Sequence, residues 1–256
     1  MISAKTTLTQ HLLQEWFAAA RRWQPIAAAA RQSGIWVWNP PLYTAETYQL
    51  FLSRFAPQPG AFLLLGLNPG PHGMAQTGIP FTDCRTAQRR LGIPLTVPGR
   101  APADLQRLLR KSNGRWRATY ERSSLGIYRF LDATWGTDLH QAFAQIYFAN
   151  PCPLLFFSRQ GKNLTPADPA LKRLPRMQEL RCASVMNLHR LLSPRAIVCL
   201  GNDASQVLGK LAESLVGPDR VTYYPHPARA VPQNWAQGLR HTLIKKKLLG
   251  NLRALD

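Results

Sequence analysis

The sequence predicts an α/β fold: a three-layer α/β/α domain with a central, four-stranded, mainly parallel sheet flanked by helices. Three observations lead to this prediction. Four short apolar runs are separated by longer stretches with helical spacing of apolar residues, which is typical of buried parallel strands. Each run ends on a polar residue or a tight-turn residue. The chain has 256 residues, of which 45% are hydrophobic, enough for one sizeable core.

The apolar runs predict both the strands and the place of a binding site. They span residues 62–67, 145–149, 196–200 and 221–225, and they lead into Asn68, Asn150, Gly201 and His226. In parallel sheets, ligands bind outside the carboxyl ends of the strands. We therefore expect Asn68, Asn150 and His226 to meet on one rim, where two amides and an imidazole suit a small, planar, polar group. Gly201 instead indicates a turn that starts a helix.

The stretches between the runs predict the helices. Apolar spacing and turn residues place them at 8–30, 43–55, 85–91, 125–134, 175–192, 203–215 and 235–252, with Pro175 in a first helical turn. Residues 94–124 show little periodicity and are interpreted as a surface excursion. We expect residues 1–256 to form a single domain whose N-terminal helix lies within residues 1–34.

The charge predicts a polyanionic partner. Lys and Arg number 32 and Asp and Glu 13, so the formal net charge is 32 − 13 = +19. The basic residues are dispersed along the chain, which favours a positive face on a folded domain over a disordered arm. Nucleic acid is the simplest such partner, with a merely basic or ribosome-associated protein as the alternative. No basic amphipathic helix or long apolar stretch points to a membrane.

The cysteines predict neither a metal site nor a disulfide framework. Cys84, Cys152, Cys182 and Cys199 lie far apart, with no spacing typical of zinc or an iron–sulfur cluster. Two of them fall in predicted core elements, so we expect a reduced, intracellular protein. Its location would be the cytoplasm or nucleoid in a bacterium, or the nucleus in a eukaryote.

The densest motif covers residues 66–81, Gly-Leu-Asn-Pro-Gly-Pro-His-Gly-Met-Ala-Gln-Thr-Gly-Ile-Pro-Phe. Four glycines and three prolines in sixteen residues predict a rigid loop whose backbone can approach a ligand closely. An ordinary strand-end turn is the alternative. Taken singly, the other candidates have equally plain alternatives: a cap for Asn150, a structural role for His226, a core position for Phe81, and a helix cap near Lys162.

Together, these segments resemble the single-strand-selective monofunctional uracil-DNA glycosylases. The family's first motif reads Gly-Met-Asn-Pro-Gly-Pro followed by Gly-Met-Ala-Gln-Thr-Gly, from which only Leu67 and His72 depart. Residues 150–154 and 161–166 resemble the middle motif, and His226 with Pro227 occupies the place of the second active-site motif. Val37-Trp38-Asn39-Pro40 and Tyr43 also match, so the resemblance spans roughly residues 35–245.

The resemblance implies an activity and a role for each matched residue. Members of the family remove uracil and some oxidised 5-substituted uracils from DNA, leave an abasic site, and use no metal or cofactor. Carried over, Asn68 and His226 would be catalytic, positioning water and stabilising the departing uracil anion. Asn150 would read the uracil edge, Phe81 would stack on the ring, and backbone near Gly70 and Met74 would line the pocket.

The resemblance also suggests specificity and DNA contacts. Narrower uracil glycosylases place a Tyr at the position of Gly70, so glycine here predicts tolerance of 5-hydroxymethyluracil. A Ser-Pro-Arg-Asn wedge of the family is replaced by residues 228–231, with Arg229 as the remaining candidate. Lys162, Arg159 and the Arg-rich residues 107–122 are expected to contact phosphate. We expect a monomer that acts on single- and double-stranded DNA.

Two other functions stay open at this point. One is a nucleic-acid-binding homologue with weak catalysis, although Asn68 and His226 are both present. The other is an enzyme for RNA or for a different deaminated base, such as xanthine or hypoxanthine.

Overall fold

A computed structural model describes residues 4–95, 105 and 121–249. Its strands are β1 (Trp36–Trp38), β2 (Phe62–Leu65), β3 (Ile146–Ala149), β4 (Leu155–Phe157), β5 (Asn163–Leu164), β6 (Ile197–Leu200) and β7 (Val221–Tyr224). The central sheet has the order β3-β2-β6-β7, and every pair in it is parallel. The predicted four-stranded parallel sheet flanked by helices is confirmed.

The register of the central sheet explains why its strands have continuous apolar sequences. Leu64 of β2 lies opposite Phe148 of β3 on one side and Val198 of β6 on the other. All residues of β2, β3 and β6 are buried, because both faces of the sheet are covered. The edge strand β7 differs, since its Tyr223 is 45% exposed. Because the strands are parallel, their carboxyl ends lie along one edge.

A second, antiparallel sheet was not predicted. It has the order β1-β4-β5, with Trp38 opposite Leu155 and Phe156 opposite Leu164. Its strands are two or three residues long, too short for an alternating pattern to identify them. This small sheet matters for the site because it holds two segments near the end of β2. Leu154, directly before β4, contacts Asn68, and Asn163 of β5 lines the same cavity as Asn68.

The helices lie close to the predicted ranges. Within the described residues they are Ala4–Arg22, Gln24–Gln32, Pro40–Tyr43, Ala45–Arg54, Met74–Thr77, Cys84–Arg89, Arg122–Trp135, Leu139–Gln145, Pro169–Lys172, Met177–Leu192, Asn202–Val216 and Pro232–Lys245. Short 3₁₀ turns occupy Pro218–Arg220 and Pro227–Arg229.

Three of the predicted helices begin or divide differently from the sequence prediction, and the last one ends earlier. The helix expected at 8–30 is two helices separated at the fully buried Trp23, because Pro25 restricts the residues that precede it. Thr44 interrupts the second predicted helix, and its Oγ1 donates to the Pro40 carbonyl at 2.8 Å. Pro175 is not in a first helical turn, because Arg176, with φ +64°, precedes a helix that starts at Met177.

The predicted excursion at 94–124 falls largely outside the described residues. Its described parts are not all at the surface. Leu105 is fully buried beside Trp38, Leu155 and Phe157. The final residues 122–124 belong to the helix Arg122–Trp135. The last predicted helix, 235–252, is instead Pro232–Lys245; residues 246–249 are not helical, and residues 250–252 lie outside the described part.

Candidate active site

A cavity of about 510 Å³ opens where the strands of the central sheet end. Residues from all four strand ends line it, together with parts of the glycine-rich loop and of the segment after β5. The predicted site residues that line it are Asn68, Gly70, Met74, Phe81, Asn150, His226 and Arg229. The convergence expected from the sequence is therefore present.

Asn68 follows β2 with its amide held in one orientation. Its Nδ2 donates to the Leu154 carbonyl at 3.1 Å, just before β4. Because the amide nitrogen is engaged with the protein, Oδ1 is the atom left to accept a hydrogen bond in the cavity. This orientation suits the binding of a water molecule through one of its hydrogens.

His226 follows β7 and is held as a neutral imidazole. Burial, with a further contribution from the positive charge of Arg229, lowers the pKa of His226 to about 4. Its Nδ1 accepts from the backbone N–H of Ala228 at 3.3 Å. In the neutral ring the proton is then on Nε2, which makes Nε2–H a hydrogen-bond donor.

Asn150 and Phe81 form a polar edge and an apolar face in the same cavity. Among the described residues, the Asn150 Nδ2 donates only to the thioether of Met74, at 3.1 Å, which is a weak acceptor. The Phe81 ring is edge-on to Phe148, with centroids 5.9 Å apart, and tilted to His226 at 6.1 Å. A Cβ on Gly66 would collide with both the Phe81 ring and Asn150 Oδ1, so glycine is required at this strand end.

The loop between β2 and Phe81 is braced by its own polar groups. Gln76 Nε2 donates to the Pro71 carbonyl at 2.8 Å, and Thr77 Oγ1 donates to the Thr82 carbonyl at 2.8 Å. Phe81 has φ +55°, a conformation that non-glycine residues rarely adopt. The rigid loop predicted from its glycines and prolines thus holds an aromatic residue in a strained backbone conformation at the cavity.

The third strand end supports the site through its backbone. Gly201 has φ +89°, and a Cβ there would lie 3.2 Å from the Cβ of His226. The helix Asn202–Val216 begins immediately after it. Gly201 therefore has the structural role expected from the sequence, and it also sets the distance between β6 and His226.

Two of the predicted DNA-binding residues do not line the cavity. Lys162 is 74% exposed and lies 3.9 Å from Asp168, whereas its neighbours Asn163 and Thr165 do line the cavity. Arg159 is exposed and donates from Nε to the Gly34 carbonyl at 3.3 Å, beside a separate groove. Only Arg229 of the three lies at the cavity, in the turn after His226.

Two carboxylates at the cavity were missed by the sequence analysis. Glu121, just before the helix Arg122–Trp135, has a buried Oε2 with no hydrogen-bond partner in the described residues. Burial raises the pKa of Glu121 to about 7, against the opposing effect of a hydrogen bond with the Ser123 side chain and with a smaller contribution from Asp83. Asp203 pairs at 2.5 Å with Arg181, which is 1% exposed. Glu121 had no distinctive sequence signal, because it follows a region without periodicity.

The described residues contain no group of three or more His, Cys, Asp or Glu side chains placed to hold a metal ion. Within the same part of the chain, no helix is both long and apolar enough to cross a membrane. The four cysteines are free thiols.

Comparison with known proteins identifies the family. The family model described as the uracil DNA glycosylase superfamily matches residues 53–246. A single-strand selective monofunctional uracil-DNA glycosylase of Rattus norvegicus is 31% identical over 219 residues, covering 83% of this chain and 76% of its own length. The Bos taurus protein of the same description is 31% identical over 197 residues, covering 77% of this chain and 71% of its own.

A solved structure is similar to the fold. The crystal structure of wild-type SMUG2 from Pedobacter heparinus aligns with a TM-score of 0.63, covering 83% of this chain and 88% of that one. Its sequence identity is 22%, so this similarity concerns the fold alone.

Proposed function

Because this chain belongs to the uracil-DNA glycosylase superfamily, we propose that it hydrolyses the N-glycosidic bond of uracil in DNA and leaves an abasic site. The observation that carries the proposal is the single cavity lined by Asn68, Asn150, His226 and Phe81. These groups match the needs of the reaction. Asn68 holds a water, Asn150 binds the edge of the base, His226 donates a hydrogen bond to the leaving group, and Phe81 provides a stacking surface. In a DNA duplex the glycosidic bond is not accessible to the enzyme, so the nucleotide must leave the base stack to enter the cavity.

Asn68 positions the attacking water. An amide has no basicity at neutral pH and cannot remove the proton of water before the bond breaks. We therefore expect a dissociative reaction, in which a sugar cation forms first and the water held by Asn68 Oδ1 adds to it. The hydrogen bond from Asn68 Nδ2 to Leu154 supports this role, because it fixes the acceptor toward the cavity.

His226 stabilises the departing uracil. As the bond breaks, negative charge develops on the base and is shared with its O2 oxygen. A neutral imidazole that donates from Nε2 binds this charge without first having to acquire a proton. The depressed pKa of His226 and the hydrogen bond accepted by its Nδ1 both support this arrangement.

Asn150 and Phe81 recognise the base. The Asn150 amide offers a donor and an acceptor side by side, which complement the O4 and N3–H of uracil. Its donor is held only by the weak Met74 thioether, so it is available for exchange with the substrate. Phe81 provides the face on which the ring stacks.

The substrates include uracils with small substituents at C5, such as 5-hydroxymethyluracil. Gly70 lines the cavity without a side chain, which supports this breadth of substrates. Excision of uracil with 5-hydroxymethyluracil left intact would contradict this part of the proposal.

The DNA backbone is bound by the basic surface, and the enzyme acts as a monomer. The charge of +19 supports strong, salt-dependent binding to single- and double-stranded DNA. Arg229 is the residue nearest to the active site for this purpose, and Lys162 and Arg159 extend the contact along the surface. Val231, 56% exposed between the His226 turn and the last helix, is the apolar side chain available to enter a base stack.

The proposal is tested with a labelled single-stranded oligonucleotide that contains one uracil, followed by alkali to cleave abasic sites. We expect strand breaks only after the alkali step. No breaks with the unmodified protein would refute the proposal. Parallel substrates with xanthine and hypoxanthine, and a uracil-containing RNA, distinguish the alternative enzymes.

A further inference from the structure

We propose that Glu121 is a specificity-determining residue whose carboxyl group contacts the substituent at C5 of the flipped base. This inference rests on the proposed function and extends it. It assigns recognition of polar C5 groups, such as hydroxymethyl, to one side chain that lies against Gly70.

The geometry places the Glu121 carboxyl against the glycine-rich loop. A Cβ built on Gly70 would contact Oε1 of Glu121, and a Cβ on Gly73 would contact Oε2. The carboxyl therefore occupies the space that side chains at these two positions would fill. The backbone N–H of Glu121 donates to Asp83 Oδ2 at 3.1 Å, which fixes the residue at the start of its helix.

The position around the base follows by elimination. In the proposed binding mode Asn150 covers N3 and O4, and His226 covers O2, which leaves the C5–C6 edge of the ring. Met74, which contacts Asn150 on the O4 side, directly follows Gly73. The carboxyl against Gly73 and Gly70 therefore adjoins the next ring position, C5.

The chemistry of the buried carboxyl favours a polar substituent. The Ser123 side chain hydrogen-bonds to the carboxyl, but Oε2 is buried without a partner in the described residues, which is unfavourable unless a ligand supplies one. The pKa of about 7 leaves a proton on a large share of molecules at neutral pH, so the group both donates and accepts. A hydroxymethyl group satisfies it, whereas the methyl group of thymine leaves it unpaired. A site built to hydrogen-bond a substrate hydroxyl strongly rejects the analogue that lacks it.

Single-turnover excision of uracil and of 5-hydroxymethyluracil from matched single-stranded oligonucleotides tests the inference. The readout is the ratio of the two rates. Glu121→Gln keeps a donor and an acceptor, and we expect it to hold the ratio within about threefold. Glu121→Met keeps the size but not the hydrogen bonds, and we expect the ratio to fall by about tenfold or more. Glu179→Gln, at an exposed glutamate paired with Arg176, is the matched control.

The outcomes separate this inference from the proposed function. A wild-type protein that excises neither base refutes the function itself. Excision of uracil by the wild type together with an unchanged ratio in Glu121→Met refutes only the role of Glu121. An equal fall in both rates also refutes it, because a general base or a structural residue acts on both substrates alike. If Glu121→Met does not fold, as judged by circular dichroism, Glu121→Ala is measured against the same criteria.

Discussion

The protonation state of His226 gives the sharpest test of the mechanism. A histidine with the ordinary pKa of 6.5 is about 90% protonated at pH 5.5, whereas one with a pKa of about 4 is about 3% protonated. If the neutral ring is the active form, an ordinary histidine would lose about tenfold in rate between pH 7.5 and 5.5. Here we expect His226 to contribute less than a twofold loss over that interval.

The assay is kcat/KM for uracil in a short single strand, measured from pH 4 to 8, because this parameter reports pKa values of the free enzyme. Glu121 titrates near pH 7, so the same profile is measured in Glu121→Gln to remove that group. The C–H resonances of His226, identified by comparison with His226→Gln, give the pKa directly. Both measurements are expected to place the midpoint near 4.

Substitution of Arg229 provides a control, because the direction in which it should shift the pKa of His226 is known. Its charge is the second cause of the low pKa after burial, so Arg229→Gln should raise the midpoint while leaving it below 6.5. An acid limb centred near pH 6.5 in the wild type would refute the neutral-imidazole mechanism. The stability linkage has the same direction: since protonation is disfavoured in the folded state, the free energy of unfolding falls as pH drops from 6.5 toward 4.

Three further substitutions test other parts of the site. Asn68→Ala should lower the single-turnover rate by about 10²–10³, the cost of losing one preorganised polar group, and a rate near wild type would exclude its role in positioning water. Gly201→Ala should reduce stability by about 1 kcal/mol or more, because φ is +89° at this position. It should also reduce activity, because the new Cβ crowds His226. An unchanged melting temperature would contradict this. Arg181→Met should destabilise by about 1.5–3 kcal/mol in urea unfolding, since the partly buried Asp203 loses its charged partner, and a loss below about 1 kcal/mol would show that Asp203 is solvated instead.

The central sheet and its binding edge were predictable because their signals are local and redundant. Continuous apolar runs identified β2, β3, β6 and β7, and the parallel arrangement placed their polar end residues together. The small sheet was not predictable, since β5 has two residues and is defined only by its pairing with β4. Its position depends on contacts between segments far apart in the chain.

The amide and imidazole to which we assign catalysis were identified from the sequence, whereas Glu121 was not. Asn68 and His226 each follow a strong strand signal directly. Glu121 follows a stretch with no recognisable periodicity, and its importance comes from burial against two glycines about fifty residues earlier. A glycine in a sequence shows that space is available, but not which distant side chain fills it.

The position of the Glu121 carboxyl changes the interpretation of the glycine-rich loop. Gly70 alone suggests an open pocket whose breadth comes from a missing side chain. In the folded protein a carboxyl group lies against Gly70, so this part of the cavity is lined by a hydrogen-bonding group rather than left empty. The shape of this part of the cavity and its capacity for hydrogen bonds can be separated by substitution. Glu121→Met should keep the shape and remove the hydrogen bonds. Thymine excision measures the difference, because the methyl group of thymine cannot hydrogen-bond to the carboxyl of the wild type, whereas Glu121→Met has no carboxyl to leave without a partner. We therefore expect Glu121→Met to excise thymine from a single strand faster than the wild type, relative to uracil, and equal ratios would show that shape alone sets the specificity.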